Sequence, residues 1–292
     1  MRFLLLAALL LHTPAQAAAS PQTKPAALAQ SGKSAPRLLE ESVASAALGR
    51  TMNYRVLLPE SYEGSLKRYP VLYLLHGLGG DYKDWTSRSN LAEHSRTLPL
   101  IIVMPDGENQ WYTNAADGSA RFEDYILTDL QTDVVKKFRT VNSRYGRSIA
   151  GLSMGGFGAL KLALKRPAAF AVAGSFSGAL NVTRAGELEA RIGQTEADRM
   201  QKIFGPAGSE TRKTNDVFAL ADALKPAGAP YLYLDCGIAD GLIIANREAV
   251  AALHKSGAAY EYHEVAGAHT WDYWDRRIQE FLPTLMKKLA NQ

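Results

Sequence analysis

The stretch that leaves this chain the least freedom is Gly151-Leu152-Ser153-Met154-Gly155, lying between the apolar run Ile149-Ala150 and the small-residue run Gly156-Phe157-Gly158-Ala159-Leu160. A strand leading into such a pattern, and a helix leading out of it, require a sharp turn that brings backbone against backbone. Side chains at the flanking positions would clash there, so glycine is the residue that fits. The strained turn pushes the serine hydroxyl outward, and the following helix aims its first amides at the point where negative charge would develop. Gly151, Gly155, Gly156 and Gly158 also superficially resemble a dinucleotide phosphate cradle. That motif needs an early βαβ unit and an acidic residue about 20 positions on; this sequence provides neither.

The rest of the chain is organised to support such a turn. With 292 residues, 47% of them hydrophobic, it can bury one large α/β core. Apolar, β-rich runs at 54–58, 71–75, 100–104, 148–151, 170–176, 231–234 and 260–265 alternate with amphipathic stretches at 122–138, 155–165 and 275–289. This alternation predicts a mostly parallel central sheet flanked by helices, formed by one domain over 38–292. The polar, helix-prone stretch 181–224 is too long for an ordinary connection and is expected to form a small helical cap over the site.

The N-terminus reads as an export signal. Met1-Arg2, the apolar run from Phe3 to Leu11, and Ala15-Gln16-Ala17 supply the charged, apolar and small-residue parts of a cleavable signal peptide over 1–17. The apolar run is about half the length needed to span a bilayer. A flexible leader is expected over 18–37, and a secreted or periplasmic mature protein with no stable membrane association. The net charge of +4 is spread among mixed signs, which argues against nucleic-acid binding. The single cysteine, Cys236, excludes an intrachain disulfide and a cysteine-clustered metal site.

A serine in such a turn needs a base and an acid, because a hydroxyl is a poor nucleophile near neutral pH. His76-Gly77-Leu78-Gly79-Gly80, just after the strand at 71–75, matches the glycine-rich loop that pairs with this turn to form an oxyanion hole. The Leu78 and Met154 amides are its candidate donors. Of six histidines, His12 falls in the expected signal peptide, while His76 and His94 precede the serine and break the expected Ser, acid, His order. His254 falls near a helix end and His263 inside an alternating strand, leaving His269 in the loop Gly267-Ala268-His269-Thr270-Trp271. The acid should follow the strand at 231–234, where both Asp235 and Asp240 stand. Position favours Asp240, deeper in the loop, although it could instead cap a helix starting near Leu242.

Taken together, His76 to Gly80, Trp111-Tyr112, Ile149 to Gly156, Asp235 to Asp240 and Gly267 to Trp271 resemble the putative esterase family over 52–285. That family includes esterase D, S-formylglutathione hydrolases, bacterial feruloyl and acetylxylan esterases, and mycolyltransferases. The resemblance implies an α/β-hydrolase fold, a Ser153-Asp240-His269 triad with Asp240 as the acid, and no metal or organic cofactor. It also implies an acyl-enzyme route for a small-molecule or carbohydrate ester. An acyltransferase of the mycolyltransferase type, or a thioesterase like S-formylglutathione hydrolase, is the competing activity; a catalytically silent binding protein would have been expected to lack a triad residue. The segment around Trp271 and Trp274 is similar to carbohydrate esterases. Trp111, Tyr112 and Trp271 are candidate substrate-binding residues, with core packing the competing role for each.

Overall fold

The computed structural model describes residues 37–184 and 194–290. The signal peptide expected over 1–17, all of the leader expected over 18–37 except Arg37, and residues 185–193 of the expected cap lie outside the described residues. Eight strands form one sheet: β1 (Arg37–Ser45), β2 (Arg50–Leu58), β3 (Val71–Leu75), β4 (Ile101–Pro105), β5 (Arg147–Leu152), β6 (Val172–Phe176), β7 (Tyr231–Gly237) and β8 (Tyr260–Val265). Their order is β1-β2-β4-β3-β5-β6-β7-β8. The pairs β1–β2 and β2–β4 are antiparallel, and every other neighbour is parallel.

The described helices are α1 (Asp84–Ser87), α2 (Leu91–Ser95), α3 (Phe122–Asp124), α4 (Gln131–Lys137), α5 (Met154–Lys165), α6 (Gln194–Phe204), α7 (Glu210–Thr214), α8 (Val217–Asp222), α9 (Ile243–Ser256) and α10 (Trp271–Ala290). The amphipathic pattern predicted as one helix over 122–138 is split: a π-helical turn at Tyr125–Leu130 joins α3 to α4. Inside it, Asp129 accepts from the Ser45 hydroxyl at 2.6 Å and the Ala47 amide at 2.9 Å, tying the β1–β2 hairpin to this segment.

The central strands bury both faces, which explains why they read as continuous apolar runs. Along β3, Val71, Tyr73 and Leu75 enter one core cluster, whereas Leu72 and Leu74 enter the other. Helix α5 contributes Met154, Phe157 and Leu160 to the first cluster. Helix α10 contributes Ile278, Phe281 and Leu285 to the second. The sheet is thus clamped between two helical layers, and the turn between β5 and α5 is held at its carboxyl edge.

Strand β1 is not among the runs that the sequence predicted. It is an edge strand whose partner is β2, and its sequence carries Glu40, Glu41 and Ser42, poor strand formers held by ladder pairing with Asn53, Tyr54 and Arg55. Helix α10 begins at Trp271, four residues before the predicted 275, so Trp271 and Trp274 lie on its first turn.

Candidate active site

The site grows from three loops at the carboxyl ends of β5, β7 and β8. At the end of β5, Ser153 adopts φ 51° and ψ −114°, a conformation that L residues rarely hold. It is fixed by its amide donating to the Phe176 carbonyl at 2.9 Å and its carbonyl accepting from the Phe157 and Ala179 amides. The flanking glycines are sterically required: a Cβ on Gly151 would lie 2.5 Å from Gly155 backbone, and one on Gly155 would lie 2.6 Å from the Leu75 and His76 carbonyls. The sharp turn read from the sequence is therefore a consequence of close backbone packing.

The loops after β7 and β8 bring two further residues to the serine. His269 Nε2 lies 3.0 Å from Ser153 Oγ, and His269 Nδ1 lies 2.8 Å from Asp240 Oδ2. Asp240 Oδ1 accepts from the Leu242 amide at 2.9 Å, so the carboxylate both caps the approach to α9 and faces the imidazole. Burial pushes the Asp240 carboxyl up, but the bonds from His269 and the Leu242 amide outweigh it and hold the group below its ordinary range. Trp274 stands edge-on to the His269 ring at 4.8 Å and limits where the imidazole can rotate.

The competing residues have other partners. Asp235 is buried in the sheet and accepts from the Tyr273 hydroxyl at 2.9 Å and Arg277 Nε at 3.1 Å. His94 binds Asp275 at 2.9 Å, His254 faces the Tyr260 hydroxyl, and the His263 ring packs on Tyr233. His76 is held by backbone on both ring nitrogens: Nδ1 donates to the Gly77 carbonyl at 2.8 Å, and Nε2 accepts from the Gly107 amide at 2.8 Å. It braces the glycine-rich loop.

A cleft of about 460 Å³ opens over Ser153 and His269, bounded on one side by Gly77, Leu78 and Gly79 and on the other by Trp271 and Trp274. Its size suits a small organic ligand. Leu78 belongs to this wall, and Met154 opens α5, where first-turn amides have no acceptor within the helix. Trp271 also belongs to the wall, with the Arg88 guanidinium 5.0 Å above its ring.

Trp111 and Tyr112 do not face this cleft. They are 2% and 0% exposed; the Trp111 ring packs on Phe157 and Phe204, and Tyr112 sits against Gly107 and Gly158. The expectation that they contact substrate is corrected by their burial: loop position alone did not reveal which side of the loop is core. Nor do the described residues of the 181–224 insertion line the cleft. Phe204 packs on Trp111 and Phe157, and α8 lies against α5 and α9.

Sequence reasoning missed Asn109, whose side chain accepts from the Gly79 amide at 2.7 Å and so pins the glycine-rich loop. It stands in a polar loop with no pattern to mark it.

The model of the family described as putative esterase matches residues 45–285. An acetyl esterase of Caldicellulosiruptor saccharolyticus is 30% identical over 71% of this chain and 80% of its own length. The esterase Rv1288 of Mycobacterium tuberculosis is 32% identical over 81% of this chain, which spans 56% of that relative. Among solved structures, the fluorophosphonate-binding serine hydrolase FphF of Staphylococcus aureus superposes with a TM-score of 0.76 at 26% identity, covering 88% of this chain and 99% of that one. With its eight-stranded, mostly parallel sheet and flanking helices, the chain belongs to the putative esterase family, as a carboxylic ester hydrolase of the α/β-hydrolase fold.

Proposed function

We propose that this enzyme cleaves esters through a covalent acyl-enzyme on Ser153, with His269 as the base and Asp240 as the residue that orients it. The observation that carries this reading is the unbroken chain Asp240–His269–Ser153, at 2.8 and 3.0 Å, opening onto the cleft. As Ser153 Oγ attacks the ester carbonyl, His269 Nε2 takes its proton and Asp240 stabilises the imidazolium. The Leu78 and Met154 amides receive the oxyanion. Collapse of that intermediate breaks the bond to the alcohol, which leaves with the proton from His269. Water then repeats the sequence on the acyl-enzyme and releases the acid.

The substrates proposed are acetyl or feruloyl esters of carbohydrates and short-chain acyl esters. Support comes from the acetyl esterase relative and from a Xylanibacter ruminicola endo-1,4-beta-xylanase/feruloyl esterase, 32% identical over 46% of this chain. A second reading, acyl transfer to a hydroxyl acceptor, is favoured by the 26% identity over 85% of the chain to a Mycobacterium leprae diacylglycerol acyltransferase/mycolyltransferase. Export is also proposed, on the pattern Ala15-Gln16-Ala17; N-terminal sequencing of protein from its native host should begin near Ala18.

Replacing Ser153 with Ala tests the central claim. Hydrolysis of a p-nitrophenyl acyl ester should fall by at least about 10⁴ with the melting temperature little changed. Retained turnover in that variant would remove Ser153 from the reaction. In the wild type, faster product release on adding a sugar acceptor would select transfer over hydrolysis.

A further inference from the structure

Tyr112 is fully buried, yet its hydroxyl donates to the His76 carbonyl at 3.0 Å, immediately before the glycine-rich wall of the cleft. From there the connection continues through His76, whose Nδ1 donates to the Gly77 carbonyl at 2.8 Å and whose Nε2 takes the Gly107 amide. The Leu78 amide is the next donor along the chain. The backbone of Tyr112 is itself held in an unfavourable state: Trp111 and Tyr112 have φ 53° and 52°. Non-glycine residues keep such angles where the surroundings impose them. Here the restraint is Lys161, a fully buried amine on α5, which donates to the Tyr112 carbonyl at 2.6 Å and pairs with Glu123 at 3.1 Å. Burying an ammonium is costly unless every donor finds a partner. Its third bond, to Thr113 Oγ1 at 3.3 Å, completes the set.

We propose that Tyr112 is a positioning residue for the oxyanion loop: anchored by Lys161 to the helix that follows the nucleophile, it holds His76 and thereby sets the Leu78 amide relative to Ser153. This rests on the catalytic reading above. Through Lys161 and Tyr112, helix α5 and the glycine-rich loop are tied into one frame, so the Leu78 and Met154 amides share a common reference.

Tyr112→Phe isolates the hydroxyl, because the ring is retained against Gly107 and Gly158. With a p-nitrophenyl ester, kcat should fall about tenfold while KM stays within about twofold, since the oxyanion forms only in the transition state. Affinity for a trifluoromethyl ketone, whose adduct with Ser153 carries an oxyanion, should weaken by the same factor. Lys161→Met, measured per folded molecule by circular dichroism, should produce the same paired loss. Unchanged kcat and inhibitor affinity in Tyr112→Phe, or a kcat loss without the inhibitor loss, would overturn the proposal. Full activity in Ser153→Ala would instead show that the catalytic reading itself fails, which separates the two outcomes.

Discussion

Two aspartates five residues apart leave the same strand and end in opposite environments. Asp235 lies on β7 between sheet and helix, where Arg277 and Tyr273 of α10 close over it. Asp240 lies past the strand in a loop, with one oxygen on backbone and the other on an imidazole at the edge of the cleft. Burial acts on both carboxyls in the same direction. For Asp235 it prevails, pushing the group up to about 7 against Arg277 and Tyr273. For Asp240 the hydrogen bonds prevail and the carboxyl stays ionised. A carboxylate can stabilise a developing cation only where it stays charged; the one packed into the seam, bonded to Tyr273 and Arg277, holds α10 on the sheet.

The two aspartates should differ most in kinetics. Asp240→Asn keeps the shape but loses the charge facing His269, and kcat is expected to drop by about 10² to 10⁴, the upper figure being the cost of the same change in the triad of a serine protease. Steady-state turnover of a p-nitrophenyl ester, corrected for folded fraction, measures it. A near-normal kcat would mean that the 2.8 Å contact between Asp240 and His269 does no chemical work.

Asp235→Asn should show the reverse pattern. Outright loss of one partner of a buried pair costs about 3 to 5 kcal/mol, but Asn keeps an oxygen that can accept from Tyr273 or Arg277, so about 2 kcal/mol is expected. Urea denaturation reads this loss, and turnover per folded molecule should remain within about threefold of wild type. If the variant were fully stable yet inactive, the roles of the two aspartates would have to be exchanged.

The smallest expected effect lies in the acid range. Asp240 is held below its ordinary value when folded, so the unfolded chain takes up a proton first as pH falls. Its stabilising contribution is present above the unfolded value of about 3.9 and is lost as pH drops through the folded value. The urea midpoint should therefore decline more steeply below about pH 4 in the wild type than in Asp240→Asn. Parallel curves for the two proteins would show that the imidazole contact adds nothing to the fold.

Much of this molecule was legible in order along the chain. The runs at 71–75 and 148–151 read as strands because residues buried on both faces leave no polar alternation, and Gly151 and Gly155 marked the turn because no side chain fits there. His269 emerged by elimination, since each rival histidine lay in a helix, in a strand or ahead of the serine. Strand β1 was hidden because Glu40-Glu41-Ser42 lacks strand propensity and is held by pairing across a hairpin. Trp111-Tyr112 was legible as a motif, but not as core: a loop can turn its aromatic side chains inward, and only the packing of Phe157, Phe204 and Gly158 shows that it does.

What the sequence determined by itself was local: which segment turns sharply, which residue types could carry acyl chemistry, and in which order they come. Those properties follow from excluded volume and periodicity over a few residues. The separate surroundings of Asp235 and Asp240, the burial of Tyr112 and the bracing of the glycine-rich loop by His76 and Asn109 were decided by tertiary structure. Each depends on which groups from distant parts of the chain arrive within about 3 Å, and hydrogen bonds of that length are set by the packing of the sheet and its two helical layers.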